Sequence, residues 1–159
     1  MQNSNVNRGD CSTSETVKNS ALGLFGDGFS IEQDYIKNLS PTCLAYVGDG
    51  VYELYTRVFF ARCGKMKLKN LHEAVVSFVS CHGQTEAYGL ISDLLTEEEQ
   101  DLFRRGRNSK SSVPRNADVY EYRCATGLEC LLGYLFLSGS YSRLGRIMSV
   151  ILSGGVNID

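Results

Sequence analysis

Hydrophobic residues recur every three or four positions along most of the chain, which is the spacing of one face of an α-helix. The clearest stretch follows Ser40 and Pro41, a typical helix start with serine as the cap and proline in the first turn. It should run to about Arg62, with Gly64 as its stop. Its apolar positions are Leu44, Val47, Val51, Leu54, Tyr55 and Val58. No long stretch alternates with a period of two, so the sequence predicts an all-α fold.

Shorter helices are predicted in the middle of the chain. Residues 69–95 carry two apolar stripes with helical spacing, which predict two helices or one helix broken near Gly83. Thr96 and Glu99 then match a capping box, in which the two side chains satisfy open backbone donors reciprocally. We therefore expect a short helix that begins there and ends near Gly106.

The last third of the chain opens with a loop. The stretch RNSKSSVPRN, residues 107–116, is polar and contains Pro114. Helical spacing of apolar residues resumes at Val119 and continues to Phe136, with Gly139 as a typical stop. The segment SYSRLGRIMSVIL, residues 140–152, predicts one more helix.

Composition narrows the function classes only a little. The 159 residues are 43% hydrophobic and 21% charged, which predicts one domain with a sizeable core. The net charge is -2, so any role with nucleic acid must depend on a local patch. The six cysteines form no CxxC pair, which favours reduced thiols over structural zinc. With no apolar run near the roughly 20 residues of a membrane span and no secretory signal, we expect a cytoplasmic protein without a membrane partner.

The stretch LAYVGDGVYELY, residues 44–55, places two acids in an otherwise apolar helix. Asp49 and Glu53 are four positions apart, share a face and point away from the apolar stripe, which is typical of a solvated face. Gly48 and Gly50 nevertheless flank Asp49, although glycine weakens a helix interior by about 1 kcal/mol. Because a residue without a side chain lets a ligand or another backbone approach, Asp49 is a candidate site residue.

A second acid interrupts the apolar stretch ATGLECLLGYLFL, residues 125–137. Glu129 lies between Gly127 and Gly133, where a carboxylate pairs with a base, reaches water or faces the first long helix. Two carboxylates from separate helices repel each other unless a cation lies between them. Magnesium, with oxygen ligands and several waters, is the usual ion for phosphate chemistry. The pattern is compatible with such a site without requiring one.

Basic residues are concentrated directly after the acidic stretch TEEEQD. Five of the chain's 16 lysines and arginines fall within 12 positions. A helix end and loop of this kind can grip phosphates. The alternative is a solvated loop whose bases complement the dipole at the helix C-terminus. The basic residues are Arg104, Arg105, Arg107, Lys110 and Arg115, with Asn108 among their polar neighbours.

Several other chemistries lack their motifs. The sequence has no GxSxG elbow and no GxxxxGK[ST] phosphate loop, which argues against a serine hydrolase and a P-loop enzyme. His72 and His82 have no second histidine or acid at a convincing ligand spacing in the sequence. We expect His72, next to Glu73, to be a polar surface residue rather than a base.

Three stretches together resemble Mini-ribonuclease III, the short bacterial relative of ribonuclease III that has the nuclease domain without the double-stranded-RNA-binding domain. They are LAYVGDGVYELY, LTEEEQDLFRRGRNSKS and VPRNADVYEYRCATGLECLLGYLFL, in the order and spacing of the family. The resemblance runs from about Leu39 to Leu152 and implies a helical ribonuclease III-like bundle over residues 39–153. Residues 1–38 are expected to be a variable segment, with a composition compatible with disorder, and residues 154–159 a tail.

The resemblance also implies roles for individual residues. Asp49, in the GD of the signature, is the principal catalytic metal ligand, and Glu129 is the second. Glu53 is a further candidate ligand on the face of Asp49. Ala45 and Thr126 stand where larger ribonuclease III enzymes have carboxylates, so two of the usual four acids are absent, as in the Mini-ribonuclease III branch.

The implied activity is magnesium-dependent hydrolysis of double-stranded RNA, with manganese as a substitute ion and with 5′-phosphate and 3′-hydroxyl ends as products. The family is homodimeric, and its duplex lies in a valley across both subunits. The implied substrate is precursor 23S ribosomal RNA, in ribosome biogenesis, with a ribosomal protein as a candidate helper. Without a separate RNA-binding domain, the segment 104–116 would hold the duplex, through Arg104, Arg105, Arg107, Asn108, Lys110 and Arg115.

Two other functions compete with this one. The absent acids at positions 45 and 126 motivate a non-catalytic homologue that binds double-stranded RNA. A small helical adaptor that merely resembles a nuclease would have no affinity for RNA even at low salt. Incubation with duplex RNA, with and without magnesium, separates the three.

Overall fold

The computed structural model describes residues 31–64, 67–110 and 112–154. Within these ranges the chain forms helices and no strand, so the predicted all-α class is confirmed. None of the described helices has the length and apolar content that crossing a bilayer requires. The helices are α1 (Gln33–Asn38), α2 (Pro41–Arg62), α3 (Leu68–Val79), α4 (Cys81–Ile91), α5 (Glu97–Arg107), α6 (Val119–Leu137) and α7 (Tyr141–Gly154), and a 3₁₀ turn (Ser92–Leu94) follows α4.

The segment predicted as a variable lead-in, residues 1–38, is described only in its last part, because residues 1–30 lie outside the described ranges. Helix α1 occupies the end of this segment. Its Ile36 is buried in a small cluster with Leu44 of α2 and Leu137 of α6. Helix packing therefore begins before residue 39, while the domain boundaries stay a prediction.

The predicted end signals operate at α2 and α5. The Cys43 N–H donates to Ser40 Oγ at 3.2 Å, and Gly64 after α2 has a left-handed φ of 68°. At α5 the capping box is complete: the Glu99 N–H donates to Thr96 Oγ1, and the Thr96 N–H donates to Glu99 Oε2 at 2.9 Å. These starts and stops are set by local chemistry, which explains why the sequence predicted them.

The sequence predicted two helices or one helix broken near Gly83. Two helices form, and the break between α3 and α4 lies at Ser80, three positions before Gly83. Ser80 is extended, with ψ of 156°, and its Oγ accepts from the Gly83 N–H at 3.0 Å as the cap of α4. A Cβ at Gly83 would overlap the carbonyl oxygen of Ser77. Gly83 therefore allows α4 to turn tightly away from α3.

Helix α6 is central to the bundle and contacts α2, α4, α5 and α7. Its Leu128, Leu131 and Leu132 are fully buried. Helices α2 and α6 cross so closely that a Cβ at Gly48 would overlap the carbonyl oxygen of Glu129. A Cβ at Gly133 on α6 would likewise overlap a backbone carbonyl of α2. This crossing fixes which residues of the two helices face each other.

A single ion pair ties α7 to the start of α5. The Arg143 guanidinium donates to both carboxylate oxygens of Glu99, each at 2.7 Å, and to the Leu94 carbonyl oxygen at 2.7 Å. The side chain of Glu99 is only 10% exposed. The hydrogen bond from Arg143 is the main reason why the pKa of Glu99 lies below its usual value, against the opposing effect of burial.

Replacing Arg143 with Met is expected to lower the free energy of unfolding by about 3 kcal/mol, because it leaves the buried Glu99 carboxylate without its cation. Urea denaturation measures this loss. Since the pKa of Glu99 is lower in the folded state, its contribution is present above pH 4.5 and is lost as the pH falls through the folded-state pKa. The variant should lose this acid dependence. Arg146→Met, at an exposed position of the same helix, is the control; an equal loss there would contradict the ion-pair explanation.

Candidate functional site

Asp49 and Glu129 line the same cleft between α2 and α6. The cleft has a volume of about 260 Å³. The structure therefore brings together the two acids that the sequence proposed as partners. The other lining residues are Thr42, Ala45 and Tyr46 of α2 and Tyr122 and Thr126 of α6.

The close crossing of the helices produces this arrangement. Gly48, directly before Asp49, rests against the backbone of Glu129, so the two acids lie on adjacent turns of crossing helices. Asp49 is exposed at the cleft mouth, whereas Glu129 is partly buried. Gly50 has no atom near its Cβ position. Of the two flanking glycines, only Gly48 is thus required for packing within the described chain.

Both carboxyl groups resist ionisation. Burial raises the pKa of Glu129 to about 7, and the charge of Asp49 adds to this effect. Burial also raises the pKa of Asp49, with the charge of Glu53 as a second cause. A nearby cation would favour the ionised form of both carboxyl groups.

The cleft fits a hard divalent cation that takes few protein ligands. Among the described residues, no group of three or more His, Cys, Asp or Glu side chains is placed to hold a metal ion. Ala45 offers no ligand atom, and the Thr126 hydroxyl donates to the Tyr122 carbonyl oxygen at 3.0 Å. Asp49 and Glu129 alone would supply carboxylates, and magnesium often binds through one or two carboxylates, waters and substrate phosphates.

The structure adds Gln84 of α4, which the sequence analysis did not identify. Its Nε2 donates to Glu129 Oε1 at 2.8 Å, and the side chain is buried. A polar residue on an apolar helix face was the only available signal, and it does not show which partner lies opposite. The hydrogen bond from Gln84 lowers the pKa of Glu129, against the larger effect of burial.

Glu53 forms an ion pair with Arg57 instead of facing the cleft of Asp49 and Glu129. Arg57, one turn further along α2, donates to Glu53 Oε1 through Nε at 3.2 Å and through a terminal nitrogen at 2.5 Å. Glu53 is not among the residues that line the cleft of Asp49. Its carboxylate is therefore already paired with a cation from the protein.

The basic segment begins beside the cleft. A Cβ at Gly106 of α5 would overlap Cys130 and would crowd the Thr126 carbonyl oxygen, so α5 ends directly on the helix that carries Glu129. The arginines and the lysine that follow are free to face solvent. The sequence candidates Arg104, Arg105, Arg107, Asn108, Lys110 and Arg115 are all exposed.

Arg105 and Arg107 have different neighbours in the structure. Arg105 lines a larger cleft of about 850 Å³, between α1, α5 and the turn before α7, together with Lys37, Arg143 and Arg146. Glu99 and Asp101 also line this cleft, so its charges are mixed. Arg107 instead lies close enough to Tyr88 of α4 for its charge to lower the pKa of that phenol, against the larger effect of burial. The sequence alone does not show that Arg105 and Arg107, two positions apart, have different neighbours.

His82 has an acidic partner that the sequence did not reveal. Its Nδ1 lies 2.7 Å from Glu121 Oε1 of α6, and its Nε2 lies 3.6 Å from a carboxylate oxygen of Glu86. The hydrogen bond with Glu121 raises the pKa of His82. Glu121 is 39 positions away along the chain, so only the packing of α4 on α6 makes the pair.

Comparison with known proteins places the chain in a family. The Ribonuclease III domain model matches residues 43–140. The Mini-ribonuclease 3 of a Thermoanaerobacter species is 39% identical over 84% of this chain and 95% of that protein. The Mini-ribonuclease 3 of Enterococcus faecalis is 42% identical over 74% of this chain and 90% of that protein.

The fold agrees with this assignment. A Fusobacterium nucleatum protein of known crystal structure superposes with a TM-score of 0.68 at 29% identity, over 76% of this chain and 98% of that protein. The resemblance inferred from the three sequence motifs is confirmed. The chain therefore belongs to the ribonuclease III family, in which it is an endoribonuclease similar to the Mini-ribonucleases 3.

Proposed function

We propose that this endoribonuclease cleaves double-stranded RNA in a magnesium-dependent reaction at the cleft of Asp49 and Glu129. The observation that carries the proposal is the shared cleft itself, which is lined by one carboxylate from α2 and one from α6 and in which the charge of Asp49 raises the pKa of Glu129. Asp49 and Glu129 hold the ion, for which manganese can substitute. Glu53, paired with Arg57, has no direct part in the proposal.

Asp49 and Glu129 would hold a magnesium ion, which when bound would supply an activated water and charge stabilisation for phosphodiester hydrolysis to 5′-phosphate and 3′-hydroxyl ends. The protein contributes position and charge. Gln84 donates a hydrogen bond to the partly buried Glu129. Asp49 is exposed to solvent, where an RNA duplex could reach it. The exposed backbone of an RNA strand would lie against α2 and α6 with a phosphate at the cleft.

The basic segment is proposed to hold the duplex. Double-stranded RNA is recognised by its shape, phosphates and 2′-hydroxyls, which lysine, arginine and asparagine side chains can contact. The segment starts where Gly106 packs on the helix of Glu129, so phosphate contacts would form close to the cut strand. The proposed contacts are Arg104, Arg107, Asn108, Lys110 and Arg115; Arg105, in the larger cleft, is left as a comparison residue.

We also propose that the enzyme acts as a homodimer. Helix α2 exposes Tyr46 at 84%, Leu54 at 61% and Val58 at 50%. With Gly50, these positions are spaced by four residues, which places them along one side of the helix. The sequence analysis had counted Leu54 and Val58 in the apolar stripe of α2, and their exposure is what an association surface would need. A second subunit covering this face would lie beside the cleft.

The natural substrate is proposed to be precursor 23S ribosomal RNA in the cytoplasm, with a ribosomal protein as a candidate helper. This follows the resemblance to the Mini-ribonucleases 3. Cleavage of a duplex made from the paired ends of such a precursor, compared with an unrelated duplex of equal length, tests it. Equal rates on both would contradict selectivity for that precursor in the enzyme alone.

The activity test uses the purified protein with a labelled duplex, with and without magnesium, on a denaturing and a native gel. Magnesium-dependent products on the denaturing gel support the proposal. Intact RNA with a shifted native band would favour the non-catalytic binding homologue, which the small number of metal-binding side chains motivates. The absence of both cleavage and a shift at low salt would contradict any role with duplex RNA.

The triple variant Arg107→Ala, Lys110→Ala and Arg115→Ala is expected to weaken duplex binding and to flatten its salt dependence. Each lost phosphate contact reduces the slope of log K against log salt by about 0.7 to 0.9, so the triple variant should lose about 2 to 3. Filter binding in calcium, over a range of potassium chloride concentrations, measures the slope.

Arg105→Ala is the matched control for this variant. It removes one positive charge from the same segment, but its side chain lines the larger cleft rather than the side of Arg107. Its salt slope should stay that of the parent protein. If Arg105→Ala lowers the slope by about 1, net charge rather than the proposed contact surface explains the triple variant.

A further inference from the structure

We propose that Gln84 is a positioning residue that holds the Glu129 carboxylate in the orientation needed for the metal ion. It does so by donating to one carboxylate oxygen and leaving the other free. This inference rests on the proposed function, because it takes Glu129 as a ligand of that ion. No motif of the sequence assigns a role to Gln84.

The geometry fixes which way the amide points. Its Nε2 lies 2.8 Å from Glu129 Oε1 and 3.2 Å from the Val79 carbonyl oxygen. The carbonyl oxygen can only accept, and the Glu129 oxygen also only accepts in the ionised form that a metal ion requires. The NH₂ end must therefore face them, and its two hydrogens are both used. The other end, Oε1 of Gln84, is buried without a hydrogen-bond partner in the described structure. A buried oxygen without a partner is rare in folded proteins, so the placement of this amide calls for an explanation.

The corner between α3 and α4 holds Gln84 in place. Ser80 caps α4 and also accepts the Gln84 N–H on its carbonyl oxygen at 2.9 Å. Gly83 lets this corner close against Ser77. The Val79 carbonyl oxygen, left over at the end of α3, then anchors the Gln84 side chain. Gln84 is only 2% exposed, so it cannot swing to a different position without opening the corner.

The consequence for Glu129 is a fixed direction for its second oxygen. Among the described residues, none donates to Glu129 Oε2. With Oε1 held by the amide, Oε2 is the oxygen available to the cleft that Asp49 also lines. Partners that orient a metal ligand in this way typically change metal affinity or activity by about 10-fold to 100-fold when they are removed.

The test measures metal binding directly. Gln84→Met keeps the approximate length and volume of the side chain and removes the donor. Titration of the metal-free protein with Mn²⁺, followed by the electron paramagnetic resonance signal of the free ion, should show a Kd raised at least about 10-fold. With duplex RNA at a fixed Mn²⁺ concentration, kcat should fall by a similar factor while KM for the RNA stays unchanged. Raising the Mn²⁺ concentration should restore part of the loss.

Two further variants make the result decisive. Glu86→Gln, two positions along α4 and exposed, is the matched control and should bind Mn²⁺ as the parent does. If circular dichroism shows that Gln84→Met does not fold, Gln84→Asn is measured in the same titration. Its shorter side chain moves the amide donor away from Glu129. An unchanged Mn²⁺ Kd in a folded Gln84 variant overturns the inference.

Failure of this inference and failure of the proposed function give different patterns. Asp49→Asn and Glu129→Gln are titrated alongside Gln84→Met. If both acid variants lose Mn²⁺ binding while Gln84→Met keeps it, Gln84 has no positioning role but the metal site stands. If neither acid variant changes Mn²⁺ binding, the proposed site itself is wrong.

Discussion

Replacing Asp49 with Asn or Glu129 with Gln is expected to reduce duplex RNA cleavage by about a thousandfold or more. Each change removes one of the two carboxylates that line the cleft and are proposed to hold the ion. A loss of about 4 kcal/mol in transition-state stabilisation corresponds to that factor. Initial rates at saturating magnesium measure the effect. The substitutions are close in shape to the native side chains, so the fold should be kept.

Stability gives this prediction a second readout. Glu129 is partly buried and its pKa is raised to about 7, chiefly by burial, so its charge costs folding energy when no cation is present. Glu129→Gln removes that cost and should leave the melting temperature of the metal-free protein unchanged or raise it. A fall in melting temperature parallel to the fall in rate would assign a structural role to Glu129 instead.

Glu53→Gln is the control for the two acids. It neutralises a third carboxylate on the same helix as Asp49, but that carboxylate is bound to Arg57 and lies outside the cleft. Its cleavage rate should remain within a few-fold of the parent. A loss as large as that of Asp49→Asn would restore Glu53 as a ligand candidate and would contradict the two-carboxylate site.

Much of the helical framework could be predicted because its signals are local. The Ser40 cap, the Thr96 and Glu99 capping box and the left-handed Gly64 each act within one turn of the chain. The broken stretch near Gly83 shows where local signals are insufficient. Gly83 is the conspicuous residue in the sequence, but the serine three positions earlier ends one helix and caps the next.

Only those residues of the site that belong to a sequence motif or to the family resemblance could be predicted. Asp49 and Glu129 stood out as acids in apolar helices, and the structure places them in one cleft. The contact of Gln84 with Glu129, and that of His82 with Glu121, join residues 45 and 39 positions apart. Such pairs depend on how α4 packs on α6, and neither periodicity nor composition contains that information.

The second large effect is expected at the helix crossing. Gly48→Ala should lower the free energy of unfolding by about 3 kcal/mol or more, because its methyl group would overlap the backbone carbonyl of Glu129. Backbone on a buried helix cannot move aside as a flexible side chain can, so α2 and α6 must separate. Thermal and urea denaturation measure the loss, which would be a large part of the roughly 5 to 15 kcal/mol that stabilise a typical domain.

Gly89→Ala distinguishes this crossing from the general effect of placing alanine in a helix. Gly89 lies in α4 with no atom near its Cβ position, so alanine there should stabilise the protein by up to about 1 kcal/mol. Any Gly48→Ala protein that remains folded at low temperature should also cleave RNA more slowly, since separated helices carry Asp49 and Glu129 apart. If Gly48→Ala is as stable and as active as the parent, the close crossing does not set the distance between the two acids, and the geometry of the proposed metal site loses its physical basis.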